Sequence, residues 1–327
     1  MLINNDYYNR IVGVLETKER AAAVQNIDKP VILFVEGFLD RTVLEANVCD
    51  CVLVYSAGNK YYFKTRGITP RGTVKDAIYG IVNDVLTKEK NYPHLKVFGI
   101  VDKDFNNSFT ENSNFFITDT NDFETLILSS EAFSFLSIPS CKAEHVSSVY
   151  GLSYQMGCLR KAFIKYKEGK FSSSTSGKYS GKPLNIRDVI SEQAIKDNAK
   201  MVYQHEKDIS LDYLLNIFSK VKNNAFAGEL DRMLGKSFLE AKLREDNVID
   251  KNGQFINHVK GFKTDCVDCY WDKVRGHDIC ESAEAVIPDI KTYYDESFEK
   301  TVAKCFDRNN FKKTYLYKKM NLAGLMV

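Results

Sequence analysis

The sequence contains few of the residues that mark non-globular chains. Of its 327 residues only 18 are Gly and 6 are Pro, which excludes collagen-like and mucin-like proteins. Aromatic residues make up 12%, more than a disordered chain carries. Neither sign of charge prevails, because 45 Lys and Arg stand against 43 Asp and Glu, so a histone-like basic protein is excluded. A local basic face remains compatible with this balance, because a polyanion responds to where the charges lie.

Long apolar runs are also missing. The longest are of the size of Val31–Val35, far below the ~20 residues that a bilayer requires, so we predict no transmembrane helix. Residues 1–6 have neither the basic start nor the apolar core of a signal peptide. We therefore expect a cytoplasmic protein without a membrane partner. In that compartment its 8 cysteines should be reduced thiols rather than a disulfide framework.

Apolar runs alternate with helical patterns in the first part of the chain. Strands are predicted at residues 31–35, 51–55, 97–101 and 115–118, and helices at 10–25, 38–46, 73–88 and from a cap at Asn121 or Asp122 to Leu128. Continuous apolar runs are typical of strands buried on both faces. Successive strand–helix–strand units imply right-handed crossovers. We therefore predict an α/β domain over residues 1–147, with a mainly parallel sheet flanked by helices.

From residue 148 the pattern is mostly helical, and it contains no internal repeat. Helices are predicted at residues 184–203, 211–222, 227–247, 271–286 and 297–306, and the strongest loop signal lies at 169–183. We expect residues 148–327 to form a second, mostly helical domain that binds a partner or dimerises. The sequence leaves open whether this region is an insertion or a C-terminal domain.

Acidic side chains follow three of the predicted strands. Glu36 comes directly after the first strand, Asp102 and Asp104 after the third, and Asp119 after the fourth. Ligands of open parallel sheets bind beyond the carboxyl ends of the strands. Carboxylate oxygens there suit Mg²⁺ or Mn²⁺ and predict phosphoryl-ester chemistry, in which a carboxylate handles the proton.

Each of these acids has a structural alternative. A single acid after a strand is most commonly a helix cap or a solvated loop residue. Asp40 lies one helical turn after Glu36 and can either join the site or pair with Arg41 or Lys29. The metal interpretation depends on the acids acting as a set.

Two short stretches resemble a known domain. The sequences FVEGFLD at residues 34–40 and GIVDKD at 99–104 resemble the TOPRIM domain of topoisomerases, primases and OLD-type nucleases, and the resemblance covers about residues 28–130. That domain has a glutamate after its first strand and an Asp-x-Asp pair after a later one. The resemblance implies that Glu36 is the general acid or base and that Asp102 and Asp104 bind the metal. The chain departs from many such domains at residues 105–107, where they carry a small residue.

A narrower resemblance extends further along the chain. The sequences VDKDF at residues 101–105, TDTNDFET at 118–125 and WDKVRGHDI at 271–279 are similar to the TOPRIM-like bacterial family of AriB, the effectors of PARIS anti-phage systems. It implies that Asp119, Asp122 and Glu124 can complete the site. It also implies an endonuclease whose target is RNA, with tRNA favoured, that acts as a homodimer and is controlled by an AriA-like ATPase sensor. The alternative is a non-catalytic TOPRIM-like subunit that docks on a partner ATPase, since no catalytic argument requires the large helical region.

Basic residues alternate with aromatic ones after the second predicted strand. Lys60, Lys64 and Arg66 can hold substrate phosphates there, and the rings of residues 61–63 can stack on unpaired bases. The alternative is a solvated loop with buried aromatics. A second basic stretch surrounds the predicted loop and either orders on RNA or is merely a soluble loop; it comprises Lys161, Lys165, Lys167, Lys170, Lys178 and Lys182.

Cys266, Cys269, His277 and Cys280 have spacings that a zinc site can use. In the simpler interpretation Asp278 caps the helix that follows and His277 contacts nearby backbone. A third possibility is that His277 contacts a phosphate at the acidic site. The remaining histidines show no pattern of partners and are predicted to be structural; they are His94, His145, His205 and His258.

Overall fold

The computed structural model describes residues 5–25, 29–105, 109–172, 229–257, 259, 261–290 and 297–326. The chain divides into two compact units. The first contains Met1–Phe133 together with Lys300–Val327, and the second contains Ser134–Glu299. This division differs from the predicted boundary at residue 147. The second unit is an insertion, because the chain returns to the first unit at residue 300.

A sheet of four strands forms the centre of the first unit. The strands are β1 Val31–Val35, β2 Val52–Ser56, β3 Lys96–Val101 and β4 Phe115–Ile117, in the order β2-β1-β3-β4. Each neighbouring pair is parallel, and Val31 is in register with both Val52 and Lys96. The predicted mainly parallel sheet flanked by helices is therefore confirmed. Because β1 lies between β2 and β3, its carboxyl end is enclosed on both sides.

Helices cover this sheet. Those of the first part of the chain are α1 Asp6–Gln25, α2 Phe38–Glu45, α3 Lys60–Lys64, α4 Val74–Leu86 and α5 Phe123–Ser129. Helices α1 and α4 share an apolar core with the sheet; its fully buried members include Ile11, Leu15, Ile78, Ile81 and Phe115. Asp122 is the N-cap of α5 and accepts a hydrogen bond from Thr125 N at 2.8 Å, as predicted. Burial of these apolar faces is the main stabilising contribution of the unit.

The C-terminal helices α11 Arg308–Phe311 and α12 Tyr315–Leu322 belong to the first unit. Helix α10, Phe298–Lys304, precedes them and contains the point at which the chain passes from one unit to the other. The amide Nδ2 of Asn47 donates to Phe306 O at 3.2 Å, which ties the segment before α11 to the end of α2. Predicted helix 297–306 corresponds to α10.

The described part of the second unit is mostly helical, as predicted. It contains α6 Ala143–Ser172, α7 Glu229–Glu245, α8 Tyr270–Lys273 and α9 Gly276–Val286. Helix α6 begins before residue 148, which is why the predicted boundary fails. It also runs through residues 169–172, where a loop was predicted. The rest of that loop and the predicted helices 184–203 and 211–222 lie outside the described residues.

Within the second unit a buried ion pair joins α6 to α9. Arg160 Nε and Nη2 donate to Asp278 at 2.7 and 2.8 Å, and both side chains are almost fully buried. Asp278 therefore does not cap α9, and the predicted cap is wrong; the N-cap is Arg275, with no side-chain hydrogen bond. Among the described residues, no helix combines the length and the apolar character needed to cross a bilayer.

Candidate functional site

The carboxyl ends of β1 and β3 meet at one edge of the sheet, and the predicted acids lie there. Glu36 directly follows β1 and Asp102 directly follows β3. The main-chain N–H of Asp102 donates to Glu36 Oε1 at 2.7 Å. Two acids that are 66 positions apart in sequence are therefore joined by a hydrogen bond, as the parallel order of the strands predicts.

A lysine that the sequence analysis missed stands between the acids. Lys75 Nζ lies 2.7 Å from Asp104 Oδ2 and 3.2 Å from Glu36 Oε1, and it also donates to the main-chain oxygen of Asp102. Lys75 is in the first turn of α4, the helix that leads into β3. Such a crossover helix starts at the carboxyl edge of the sheet, and its side chains tilt towards its N-terminus. The place of Lys75 in the first turn of a predicted crossover helix was the signal in the sequence that could have identified it.

The conformation of Asp104 directs its carboxylate to this lysine. Its φ of 47° is left-handed, a region that Asp adopts more readily than most residues. The N–H of Asp104 donates to Asn121 O at 2.9 Å, so the loop after β3 is fixed to the loop after β4. The Asp104 side chain is 43% exposed, against 20% for Glu36, and so it faces the solvent side of the cluster.

The electrostatics of the cluster favour proton transfer near neutral pH. Burial raises the pKa of Glu36 to about 7; Lys75 opposes the rise, and Asp104 and Asp40 add to it. Burial also raises the pKa of Asp102 well above its ordinary value, with the charges of Asp40 and Glu36 adding to the effect. Burial works to lower the pKa of Lys75, but the surrounding carboxylates raise it above its ordinary value. A carboxyl group that titrates near 7 is suited to general acid or base chemistry.

One carboxylate oxygen of the cluster is buried without a donor in the described part of the chain. Asp102 Oδ1 is buried and accepts no hydrogen bond from any described residue. A buried carboxylate oxygen without a donor is costly unless it meets a cation or another proton donor. Carboxylates are the protein ligands that Mg²⁺ and Mn²⁺ prefer. The assignment of Glu36, Asp102 and Asp104 as ligands of such an ion stays a prediction.

Asp40 has a structural role in the same region. Its Oδ2 accepts a hydrogen bond from Gly37 N at 2.7 Å and so closes the N-terminus of α2. Burial raises the pKa of Asp40 to about 6, although the backbone donors oppose this. The predicted pairing of Asp40 with Arg41 is wrong, because Arg41 pairs with Glu45 at 2.7 Å.

Asp119 is engaged with the last helix. Its Oδ2 accepts hydrogen bonds from Tyr315 N at 2.6 Å and Leu316 N at 3.1 Å, at the start of α12. One carboxylate oxygen is therefore committed to a helix end, and the role of Asp119 as a metal ligand stays a prediction. Glu124 is buried in the first turn of α5, whose cap is Asp122.

The basic and aromatic segment after β2 forms a short helix, α3, rather than a loop. Asn59 Oδ1 caps it by accepting from Tyr62 N at 3.2 Å. Lys64 and Arg66 are exposed, and the Arg66 guanidinium lies 3.9 Å from the centre of the Tyr62 ring. Tyr61 is 74% exposed. Phe63 is buried, and the side chain of Lys60 lies outside the described part of the structure.

Gly58 brings this segment close to the acids. Its N–H donates to Glu36 O at 2.8 Å. A Cβ at this position would lie 2.4 Å from the same oxygen, so that any side chain would displace the backbone of Glu36. The sequence therefore uses glycine where β1 and β2 leave the sheet side by side.

The cysteine and histidine pattern is distributed over the second unit. Cys280 is buried in α9, whereas Cys266 and Cys269 are exposed, an arrangement that does not favour a shared zinc ion. His277 Nδ1 lies 3.6 Å from Glu299 Oε2, so the two side chains offer an imidazole and a carboxylate side by side. Burial works to lower the pKa of His277, but Glu299 raises it above its ordinary value. A phosphate contact of His277 stays a prediction.

Two of the other histidines have the structural roles that the sequence predicts. His94 Nδ1 lies 2.6 Å from Glu19 Oε1, and His145 Nδ1 accepts from Lys142 N at 3.1 Å at the start of α6. His205 and His258 lie outside the described residues.

Comparison with known proteins yields no relative. No family model matches the chain, and neither a curated protein nor a solved structure does.

Proposed function

We propose that this chain is a metal-dependent endonuclease of the TOPRIM type that hydrolyses phosphodiester bonds. Its active site is formed by Glu36, Asp102 and Asp104. One observation carries the proposal. Glu36 and Asp102 come from different strands and share a hydrogen bond of 2.7 Å. The carboxylates of Glu36 and Asp104 and the main-chain oxygen of Asp102 all contact a single cationic group, the Lys75 ammonium. A site built for a cation at the carboxyl edge of a parallel sheet is where phosphoryl-transfer chemistry is expected.

Each residue has a distinct part in this chemistry. A bound Mg²⁺ or Mn²⁺ would stabilise charge on the phosphate and lower the pKa of a water molecule. Glu36, with a pKa of about 7, can accept or return a proton through a carboxylate oxygen at neutral pH. Asp102 presents a buried oxygen that needs a positive partner, and Asp104 closes the cluster on the solvent side.

The exposed segment that follows β2 suits a nucleic acid. Lys64 and Arg66 supply positive charge, and the exposed Tyr61 offers a ring on which an unpaired base can stack. The RNA substrate, with tRNA favoured, is proposed from the resemblance to the AriB effectors. So are the role in anti-phage defence, control by a partner ATPase, a homodimer as the active state, and a cytoplasmic location.

The test is cleavage of labelled nucleic acids by the purified chain. Transfer RNA, other single-stranded RNA and DNA would be incubated with Mg²⁺, with Mn²⁺ and with a chelator. We expect metal-dependent cleavage that Glu36→Gln or Asp102→Asn reduces about 10²-fold or more. Glu45→Gln is the matched control, since it makes the same chemical change in the exposed pair with Arg41 on α2. Cleavage by Glu36→Gln at the wild-type rate would overturn the site assignment.

Because the resemblance implies an activating ATPase, a second arm measures growth arrest in cells that carry both proteins. The nuclease proposal expects Glu36→Gln to abolish the arrest and Glu45→Gln to retain it. Full arrest in Glu36→Gln would contradict a catalytic role for Glu36.

A second candidate function has an observation in its favour. The Lys75 ammonium already neutralises Glu36 and Asp104, as in an ion-pair cluster whose role is structural. The chain would then be a non-catalytic TOPRIM-like subunit that docks on a partner ATPase. This alternative predicts that Glu36→Gln and Asp104→Asn retain the cellular effect and that calorimetry detects no binding of Mg²⁺.

A further inference from the structure

The Lys75 ammonium lies where a divalent ion would compete with it. Its Nζ is 2.7 Å from Asp104 Oδ2 and 3.2 Å from Glu36 Oε1, and these two acids are the proposed metal ligands. The Lys75 side chain is only 18% exposed, so that water screens these contacts poorly. The contact with the main-chain oxygen of Asp102 fixes the ammonium from a third side.

The two cations compete for these carboxylates. Mg²⁺ binds carboxylate oxygens at about 2.1 Å and accepts few departures from octahedral geometry. An ammonium within hydrogen-bond reach of the same oxygens would lie a few ångströms from the ion, where like charges repel strongly in a partly buried site. Binding of the metal therefore favours movement of the ammonium away from the acids. The four-carbon stem of lysine allows this movement without a change in the backbone.

We propose that Lys75 is the resident cation of the site and competes with the divalent ion for Glu36 and Asp104, thereby setting the metal affinity. Lys75 is in this sense a positioning residue, because it holds both carboxylates at the sheet edge while no metal is bound. The proposal rests on the proposed function in one respect, namely that the metal uses the same acids. It implies that the site fills only when the divalent ion is abundant enough to displace the lysine.

The direct test is a titration of the full chain with Mn²⁺, in which electron paramagnetic resonance measures the free ion. Lys75→Met keeps the length of the side chain and removes the charge, and Lys75→Arg keeps a charge. We expect Lys75→Met to bind Mn²⁺ at least about tenfold more tightly than wild type, since a competing charge is removed. Lys75→Arg should bind no more tightly than wild type.

The control is Lys242→Met, which removes an equally charged partner of a surface carboxylate, Glu245, on α7. It should leave the Mn²⁺ affinity unchanged. The double variant Glu36→Gln, Lys75→Met should lose the tight binding, which shows that the gain arises at this site. An affinity of Lys75→Met equal to or weaker than wild type would overturn the proposal.

A second measurement uses the unmodified protein and so does not depend on a variant that folds. Amine-reactive labelling followed by peptide mass spectrometry reports how accessible each lysine is. Addition of Mg²⁺ should speed the labelling of Lys75, because the ammonium leaves the acids, and should leave Lys242 unchanged. Labelling of Lys75 that stays constant or slows when Mg²⁺ is added would refute the displacement.

These outcomes separate the inference from the nuclease proposal. Tighter Mn²⁺ binding in Lys75→Met without cleavage of any nucleic acid by any variant would retain the competition and reject the nuclease. Cleavage that depends on Glu36, together with unchanged Mn²⁺ affinity in Lys75→Met, would retain the nuclease and reject the competition.

Discussion

Substitution of Gly157 by alanine tests the packing of the second unit. At this position the gain in helix propensity opposes the steric cost of an added methyl group, and the size of both effects is known. A Cβ at Gly157 in α6 would lie 1.8 Å from Lys273 O and 3.2 Å from Val274 Cα, both main-chain atoms. In an unhindered helix the same change is favourable by about 0.5–1 kcal/mol. Overpacking costs about 1–3 kcal/mol and more where backbone has to move. The steric cost prevails, and we expect Gly157→Ala to lower the free energy of unfolding by about 2 kcal/mol.

The assay is equilibrium unfolding in urea. The chain has 1 Trp, Trp271 in α8, directly before the segment that must shift, so its fluorescence reports on this contact. Gly13→Ala is the matched control in α1, since its Cβ would meet no described atom within 4 Å. Followed by far-UV circular dichroism, the control should be as stable as wild type or more so. A Gly157→Ala variant that unfolds at the same urea concentration as wild type would refute the close approach of α6.

Three further predictions follow from contacts described above. Asp119→Ala should destabilise the first unit by about 1–2 kcal/mol in urea unfolding, because the start of α12 loses the acceptor of two N–H groups. Arg160→Met should cost about 3–5 kcal/mol, because it leaves the buried carboxylate of Asp278 without its partner. Burial works to raise the pKa of Asp278, but Arg160 together with Arg275 and His277 more than offsets it, so the pKa lies below its ordinary value of 3.8. The stabilisation is thus present above the ordinary pKa and lost as the pH falls through the folded-state pKa, so the difference between the urea midpoints of wild type and Arg160→Met should shrink from about pH 7 to 3. Gly58→Ala should reduce cleavage as much as Glu36→Gln does, because its Cβ would displace the backbone of Glu36; wild-type activity would contradict this.

The elements of the sheet could be predicted because the information is local. A continuous apolar run specifies β1 at the residues where it is observed, and Asp122 caps α5 through a hydrogen bond within the same helical turn. The meeting of Glu36 and Asp102 was also predictable, since neighbouring parallel strands end at a common edge. For these features, spacing along the chain determines position in space.

What the sequence did not reveal depends on distant contacts. The predicted helix 271–286 is interrupted because Val274 and Arg275 are extended where the chain passes Gly157, a packing constraint from another helix. Lys75 is one of many lysines, and its role follows from the length and direction of α4 rather than from a motif. The return of the chain to the first unit at residue 300 leaves no local signal at all.

That return has a consequence for biosynthesis. Lys319 in α12 bonds to Glu111 across a sequence separation of 208 residues, and Asp119 accepts from Tyr315 N at the start of α12 across a separation of 196 residues. A ribosome has therefore to translate the entire inserted unit before the sheet obtains its last covering helix. A nascent polypeptide interrupted anywhere inside that insertion carries every acid of the cluster on a sheet that still lacks its C-terminal helices.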